Sequence, residues 1–339
     1  MDAFLILEWV IKSVLLFFSL VVGFAYLTFY ERKALSRIQV RIGPNRAGPG
    51  GWLQPIADGI KLIFKEELIP SKADKLIFVA APIITALPAL IILAVIPFGT
   101  SINLFGRTID LSIAGNINVG VLYITSVASI AVYGIVLAGW SSNNKYAMMG
   151  GLRSSAQMIS YELALGLSFI GPILLAGSMS MAEIVNAQGR MGWFFIYQPI
   201  GLAIFLIAVL AEVNRSPFDM PEAEQELTAG YHVEYSGMKF ALFFMAEYVK
   251  MIAVSVIAAT LFFGGYRGPG VDQYPILGPV YLFIKVFILL FGMIWVRATL
   301  PRFRYDRLMQ FGWKILLPVA LFNVFLTAVV MILFPGIIR

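Results

Sequence analysis

VIKSVLLFFSLVVGFAYLTFY, residues 10–30, is a nearly unbroken apolar run that ends directly before the charged triplet Glu31-Arg32-Lys33. A helix of about 20 apolar residues, rising about 1.5 Å per residue, crosses the roughly 30 Å hydrocarbon core of a bilayer. Basic residues immediately after such a run are typical of its cytoplasmic end. The stretch therefore predicts a membrane-spanning helix.

The same pattern recurs along the chain, which is 60% hydrophobic with a mean hydropathy of +0.85. This composition excludes a soluble enzyme. We expect an all-α integral membrane protein of about eight transmembrane helices, folded as one membrane domain over residues 1–339. The apolar stretches predict spans near 10–30, 76–98, 119–140, 159–177, 193–213, 240–263, 277–297 and 314–335.

The chain has no Cys and a single His. Disulfides, thiolate-bound clusters and a bis-His haem therefore cannot be built from it. We expect no metal and no cofactor to be bound by this chain, so any electrons must come from a partner. His232 is interpreted as an ordinary loop residue.

Basic residues divide unevenly between the connecting segments. Residues 31–75, 141–158, 214–239 and 297–314 hold 18 of the 25 Lys and Arg, whereas the N-terminal segment and the alternate loops hold 5. Because cytoplasmic loops carry the excess of positive charge, the four rich segments are predicted to face the cytoplasm and both termini to face outward. The same bias accounts for the formal net charge of +6.

The first of these loops contains an amphipathic segment over residues 52–67. Its apolar face carries Ile56, Ile60 and Ile63, and its polar face includes Asp58. This arrangement predicts a helix lying in the membrane interface. The Gly- and Pro-rich residues 43–51 before it lack the Gly-Lys-Ser/Thr of a nucleotide-binding loop, so a nucleotide site is not expected.

Three carboxylates fall within predicted spans, where an ionisable group costs roughly 2.5–3.5 kcal/mol at the helix centre. Glu162 and Glu212 lie near cytoplasmic ends, where snorkelling to water is an equal alternative to a functional role. Glu247 lies about 10 Å below the interface, too deep for snorkelling. Lys250, three residues further, offers a structural alternative, a local ion pair with Glu247. Lys285 has no carboxylate at helical spacing, so it needs a partner on another element or a hydrated cavity.

The loop after the fifth predicted span is acidic, since residues 214–227 read NRSPFDMPEAEQEL. Pro221 and Gly230 are typical of the start and end of a short helix, whose dipole would accommodate one or two of the acids. Glu222 and Glu226 are four residues apart, and their repulsion favours proton uptake by one of them. Together with the carboxylates of the adjoining spans, they suggest a proton relay from the interface into the membrane.

Five segments in and around the predicted cytoplasmic loops resemble the H-subunit family of bacterial NADH:quinone oxidoreductase, respiratory complex I. Together with the predicted spans, the resemblance covers nearly the whole chain, and no departure from the family pattern is evident. The matching runs are TFYERKALSRIQVRIGPNRAGPGGWLQPIADGIKLIFKEE (28–67), SNNKYAMMGGLRSSAQMISYE (142–162), AEVNRSPFDMPEAEQELTAGYHVEY (211–235), FFMAEYVKM (243–251) and RATLPRFRYDRLM (297–309).

The resemblance implies a non-redox membrane subunit of a proton-translocating oxidoreductase. Its partners would be peripheral iron–sulfur and quinone-reducing subunits, small membrane subunits and antiporter-like subunits. NADH, FMN and iron–sulfur clusters would belong to those partners, while a lipid quinone, ubiquinone or menaquinone, would be the substrate. We expect a bacterial inner membrane, with the mitochondrial inner membrane as the alternative.

The family's site residues carry over by position onto two sets. A quinone tunnel would be lined by Glu31, Arg32, Arg41, Asp58, Arg215, Phe218, Asp219, Arg297 and Arg302. A carboxylate relay toward the antiporter-like subunits would include Glu162, Glu212, Glu222, Glu224, Glu226 and Glu247, with Lys250 beside them.

Two other functions stay open at this point. A secondary transporter would place an ion site at Glu247, Lys250 and Lys285, and would show paired broken helices in two halves of the chain, which the sequence does not suggest. The corresponding membrane protein of a membrane-bound hydrogenase would dock a hydrogenase and bind no quinone.

Overall fold

The computed structural model of the protein describes residues 3–104, 107–115, 117–220, 229–271 and 273–334. The expectation of an all-α membrane protein is confirmed over these residues, with one small exception. A hairpin pairs β1, Ile102–Leu104, with β2, Arg107–Ile109, in antiparallel register. The hairpin lies between the second and third predicted spans.

Helices account for most of the described chain. They are α1 Ala3–Ile38, α2 Gln54–Ile63, α3 Lys75–Ile91, α4 Gly120–Ser141, α5 Lys145–Ala176, α6 Met181–Met191, α7 Phe194–Tyr197, α8 Pro199–Glu212, α9 Gly237–Phe262, α10 Leu277–Thr299, α11 Tyr305–Phe311 and α12 Leu317–Leu333. Short 3₁₀ turns occupy Pro49–Gly51, Ile92–Val95 and Gly230–His232, and a π-helical stretch, Gly312–Leu316, joins α11 to α12.

Seven helical segments within the described residues are long and apolar enough to cross a membrane. They correspond to seven of the eight predicted spans. The exception is the span predicted at 193–213, which is divided at Gln198 into α7 and α8. Proline lacks a backbone N–H and fits best in a helix's first turn, so Pro199 begins a new helix. The resulting α8 has 14 residues, a length of about 21 Å.

Two helices extend well beyond the predicted spans. Helix α1 has 36 residues and α5 has 32, lengths of about 54 and 48 Å. The segment 145–158, predicted as part of a loop, is instead the polar first half of α5. Hydropathy marks only the apolar part of a helix, whereas the first half of α5 is polar and is held by packing, since Ala147, Ser154 and Gln157 are fully buried.

The predicted cytoplasmic loops meet at one end of the bundle, which we call the basic end. Lys239 in the first turn of α9 pairs with Glu67 in the first loop at 2.8 Å, and Asn144 donates to Glu234 at 2.7 Å. The N–H of Asp74 donates to the carbonyl of Ser141 at 3.1 Å. These contacts join the loops after the first, third and fifth predicted spans, as the distribution of charge requires.

A buried aromatic cluster fixes the loop before α9 to this end. The ring of Tyr235 stacks on Phe78 of α3 with centroids 4.1 Å apart, and Phe243 of α9 packs edge-on against Tyr235. His232 lies in the same cluster against Tyr231 and Phe243. Burial lowers the pKa of His232 to about 3, so its ring is neutral at physiological pH. It is a packed core residue.

Glycines allow the central helices to approach closely. A Cβ added to Gly134 of α4 would lie 2.8 Å from the backbone N of Thr85 and 2.9 Å from the carbonyl O of Ala81, both on α3. Gly139 of α4 faces Gly151 of α5 in a similar way. Close backbone approach through small residues is a principal source of helix association in lipid.

Replacing Gly134 with Ala therefore forces α3 and α4 apart, and we expect a loss of about 1–3 kcal/mol, as for overpacked cores. Thermal denaturation in mild detergent measures it. The matched control is Gly292→Ala in α10, where an added Cβ meets nothing within 4 Å. Because Ala is the better helix former, the control is expected to be neutral or slightly stabilising. Equal denaturation temperatures for both variants would contradict the close crossing.

Candidate functional site

A buried carboxylate at the basic end holds two arginines. Glu31 lies near the end of α1 and is buried. Its Oε1 accepts hydrogen bonds from Nη1 of Arg215, which follows α8, at 3.4 Å, and from Nη1 of Arg297, in the last turn of α10. A desolvated carboxylate is strongly unfavourable without positive partners. Glu31 therefore holds together three segments that are distant in sequence.

The Arg215 guanidinium is also held by an aromatic face. Its Cζ lies 4.2 Å from the ring centroid of Tyr248 in α9. Arg215 and Tyr248 are both buried. A cation on an aromatic face gains electrostatic stabilisation, more so where water is excluded. Helix α9 is thereby linked to the Glu31 cluster, by which we mean Glu31, Arg215, Arg297 and Tyr248.

The neighbouring segment after α8 is held by a second ion pair and by aromatic packing. Asp219 accepts a hydrogen bond from Nη2 of Arg302 at 3.0 Å. Phe218 stacks on Phe303 with centroids 5.8 Å apart and packs against Tyr161 of α5. Phe218 also lines a mainly apolar cavity of about 590 Å³ between α8 and α11, within the size range of small-molecule sites.

The remaining tunnel candidates lie nearer the surface. Nη1 of Arg32 donates to Oδ2 of Asp58 in α2 at 2.7 Å, which ties the amphipathic helix to the end of α1. Arg41 is exposed, and its Nε donates to Gln39 at 2.7 Å. The structure therefore brings most of the tunnel candidates together at the Glu31 cluster and the contacts beside it. Arg32 and Asp58 add α2 at the edge, whereas Arg41 contacts its own loop.

Carboxylates of the predicted relay meet in a small internal cavity. Glu212, at the end of α8, lies 2.5 Å from Nζ of Lys250 in α9. Glu162 of α5 accepts a hydrogen bond from Ser129 of α4. All three charged residues line a cavity of about 30 Å³, which we call the acid cavity. One or two water molecules fit in such a volume, and its charged lining offers them partners.

The ion pair between Glu247 and Lys250 that the sequence offered as an alternative is wrong. Lys250 pairs across helices with Glu212, in place of the local pair with Glu247 that helical spacing suggested. Glu247 is buried on the same helix, one turn before Lys250. The other predicted acids, Glu222, Glu224 and Glu226, lie outside the described residues, as does the short helix expected after Pro221. They are flanked by Met220 and Ala229, both at the basic end.

Lys285 finds its partner on another element, as expected. Its Nζ donates to the carbonyls of Gly265 at 2.8 Å and Arg267 at 2.7 Å, in the loop after α9. Helix α9 ends at Phe262, 12 residues and a rise of about 18 Å beyond Lys250, and Gly265 lies in the loop after that end. The ion site that a transporter would form from Glu247, Lys250 and Lys285 is therefore not assembled.

The Glu31 cluster and the acid cavity are adjacent. Tyr248, which holds Arg215, and Lys250, which holds Glu212, are two residues apart on α9, a rise of about 3 Å. Glu212 and Arg215 are likewise separated by a single tight turn at the end of α8. In a region of low dielectric constant, charges at such separations interact more strongly than they would in water.

Some residues of this site carry no signal in the sequence. Gln157 of α5 is fully buried, and its Nε2 donates to the carbonyls of Ala211 at 2.8 Å and Phe218 at 2.7 Å, which fixes the turn after α8. Ser129 is an ordinary hydroxyl in an apolar span. Such residues are identified only by the partners that the tertiary structure gives them.

The chain matches the family model described as NADH dehydrogenase over residues 11–328. It is 51% identical over 334 residues to an NADH-quinone oxidoreductase H subunit of Geobacter sulfurreducens, covering 96% of this chain and 95% of that protein. The H subunit of Thermomicrobium roseum is 51% identical over 336 residues, covering 96% of both chains. The H subunit of Deinococcus deserti is 53% identical over 327 residues, covering 94% of this chain and 82% of that protein.

The fold and these matches define a multi-pass membrane subunit of a respiratory NADH dehydrogenase. The chain belongs to the family of NADH-quinone oxidoreductase H subunits, so the resemblance seen in the sequence is confirmed. Its partners are accordingly other subunits of that complex.

The Glu31 cluster is expected to dominate the stability of the basic end. Glu31→Gln leaves two arginines without their shared anion, and removing one partner of a buried ion pair costs about 3–5 kcal/mol. The matched control is Asp306→Asn, because Asp306 pairs with Arg304 at 3.4 Å on the surface and such pairs contribute about 0–1 kcal/mol. Thermal denaturation in detergent compares them, and a similar shift in both would contradict the role of burial.

Proposed function

We propose that this protein guides a lipid quinone to its reduction site and couples the reduction to proton translocation through a carboxylate relay. One observation carries the proposal: a buried ionic cluster at the basic end adjoins an acid cavity inside the bundle, and α9 contributes Tyr248 to the first and Lys250 to the second. Ionisable groups in a membrane interior are rare and often mark proton and ion pathways.

The acid cavity is suited to respond to a single proton. It contains two carboxyl groups, Glu162 and Glu212, and one ammonium group, Lys250. One proton therefore decides whether the net charge of these three groups is zero or negative. Because uncompensated charge is strongly unfavourable in a low-dielectric interior, a charge change at the Glu31 cluster would shift this proton.

Quinone reduction supplies such a change. The reaction takes up two electrons and two protons, and the consumption of protons near the basic end alters the charge that Glu31 and its arginines experience. Electrons would reach the quinone from iron–sulfur clusters, FMN and NADH on the peripheral partners, since this chain has no Cys and only one His. This chain would bind the substrate and transmit the protonation change to the antiporter-like subunits.

Helix α2 is the proposed entrance for the quinone. Its apolar residues Ile56, Ile60 and Ile63 are 53%, 51% and 61% exposed, and Asp58 on the opposite side pairs with Arg32 of α1. An amphipathic helix with an open apolar face lies in the membrane interface, where a long-tailed quinone moves from lipid toward a polar site. The basic end would face the bacterial cytoplasm and both termini the periplasm.

The family matches disfavour the alternative of a membrane-bound hydrogenase protein, which would bind no quinone at α2. The relay and the entrance are tested separately.

Replacing Glu247 or Glu226 with Gln removes a proton carrier from the proposed relay. We expect NADH-driven quinone reduction and proton pumping in vesicles to fall by about a hundredfold, the lower part of the range for a positioned proton-transfer group. Yield of intact complex and NADH oxidation by an artificial acceptor should stay normal. Glu183→Gln, on an exposed part of α6, is the control. Normal coupled activity in both relay variants would refute the relay.

Substituting Ile60 with Trp places bulk on the exposed face of α2. Reduction of a long-tailed quinone is expected to slow several-fold, while reduction of a short-tailed analogue changes little, because only the tail must follow the apolar face. Lys61→Trp adds the same bulk off that face. Steady-state rates with both quinones measure the effect, and equal slowing for the two tail lengths would argue against an entrance at α2.

A further inference from the structure

Basic groups gather around a cavity at the end of the bundle opposite the basic end. The cavity measures about 340 Å³, and its walls come from the end of α6, the 192–193 segment and the loop after α9. Arg267 lines it, and Lys285 lies behind its Gly264 wall, where the Nζ would be 3.9 Å from an added Cβ. By the distribution of charge this is the end that carries few bases, so their convergence needs an explanation.

The positive charge at this cavity has no neutralising partner among the described residues. Within the part of the chain that the structure covers, Arg267 and Lys285 form no ion pair with a carboxylate within 4.0 Å. Nη2 of Arg267 donates to Asn186 at 2.9 Å, whereas its Nε is buried without a described hydrogen-bond partner. Lys285 uses two of its three N–H donors on carbonyls.

Hydrogen bonds and close contacts join the walls of the cavity. The buried side chain of Gln188 donates to the carbonyl of Thr260 and accepts from the N–H of Gly264, both at 2.8 Å, which ties α6 to the end of α9. The guanidinium of Arg267 lies directly over Gly189, since an added Cβ there would be 2.1 Å from Nη1. The ammonium of Lys285 lies 5.2 Å from the ring centroid of Trp193. The donors are therefore held in place before any ligand arrives.

We propose that this cavity binds the phosphate of an anionic phospholipid headgroup in the leaflet opposite the basic end. Arginine and lysine donors fixed around a cavity match the charge and the acceptor oxygens of a phosphodiester. The surroundings match the rest of the lipid. Trp193 lines the cavity, as is typical of the membrane interface, and the exposed apolar side chains of Ile196 and Ile276 lie on the adjoining segments, where acyl chains would rest.

The test uses the intact complex reconstituted in phosphatidylcholine vesicles that contain a photoactivatable phosphatidylglycerol or, in parallel, a photoactivatable phosphatidylcholine. We expect labelling of residues 186–193 or 264–271 to be several-fold higher from phosphatidylglycerol. Arg267→Gln should lower that labelling by about tenfold, as expected for a lost charge-assisted contact. Lys285→Gln should lower it less, because the ammonium lies behind the cavity wall and acts through its charge. Arg190→Gln removes the same charge from an exposed position on α6 and should leave it unchanged.

A further variant tests the geometry of the site without changing its charge, and the yield of intact complex checks that it folds. Gly189→Ala keeps every charge but displaces the Arg267 guanidinium, so labelling should fall while the yield of intact complex stays normal. Equal labelling by the two lipids, or an equal loss in Arg190→Gln, would overturn the proposal. Inorganic phosphate is the competing probe. Its binding here would raise the denaturation temperature, and Arg267→Gln would abolish that rise. If phosphate binds in this way and no lipid labels the site, the lipid assignment is wrong.

Discussion

The desolvation of one carboxylate constrains the whole basic end. Glu31 is stabilised inside the protein by Arg215 and Arg297, which both donate to it and belong to the segment after α8 and the end of α10. Tyr248 then fixes Arg215 against α9. A group that would be strongly unfavourable alone thus determines how four separate parts of the chain meet. The tie between Arg32 and Asp58 positions α2 relative to the same point.

The same electrostatic rule gives the cluster its proposed function. In a medium of low dielectric constant, charges interact over longer distances than in water, so neighbouring buried clusters cannot titrate independently. Tyr248 and Lys250 put the Glu31 cluster and the acid cavity within one turn of α9. The proposed coupling is therefore electrostatic and acts over this short distance.

Charged side chains are stabilised differently at the two ends of the bundle. At the basic end, cations are neutralised by carboxylates of the same chain, as in the pairs at Glu31, Asp219 and Glu212. At the opposite end, Lys285 is held by backbone carbonyls and by the face of Trp193, which orient the ammonium without cancelling its charge. Where a fold orients cations without neutralising them, an anion from the surroundings is the natural complement.

The sequence by itself determined the membrane class, seven of the spans, the grouping of the loops at one end and the family, because hydropathy and charge bias are local properties of the chain. It did not predict the break before Pro199 within an apolar run, nor the helical first half of α5. It also suggested Glu247 as the partner of Lys250, because spacing along one helix was the only geometry available. In the tertiary structure the partner of Lys250 is Glu212, because a cross-helix contact depends on how α8 and α9 approach each other. The same holds for Gln157 and Ser129, because only the tertiary structure shows which groups their side chains bind.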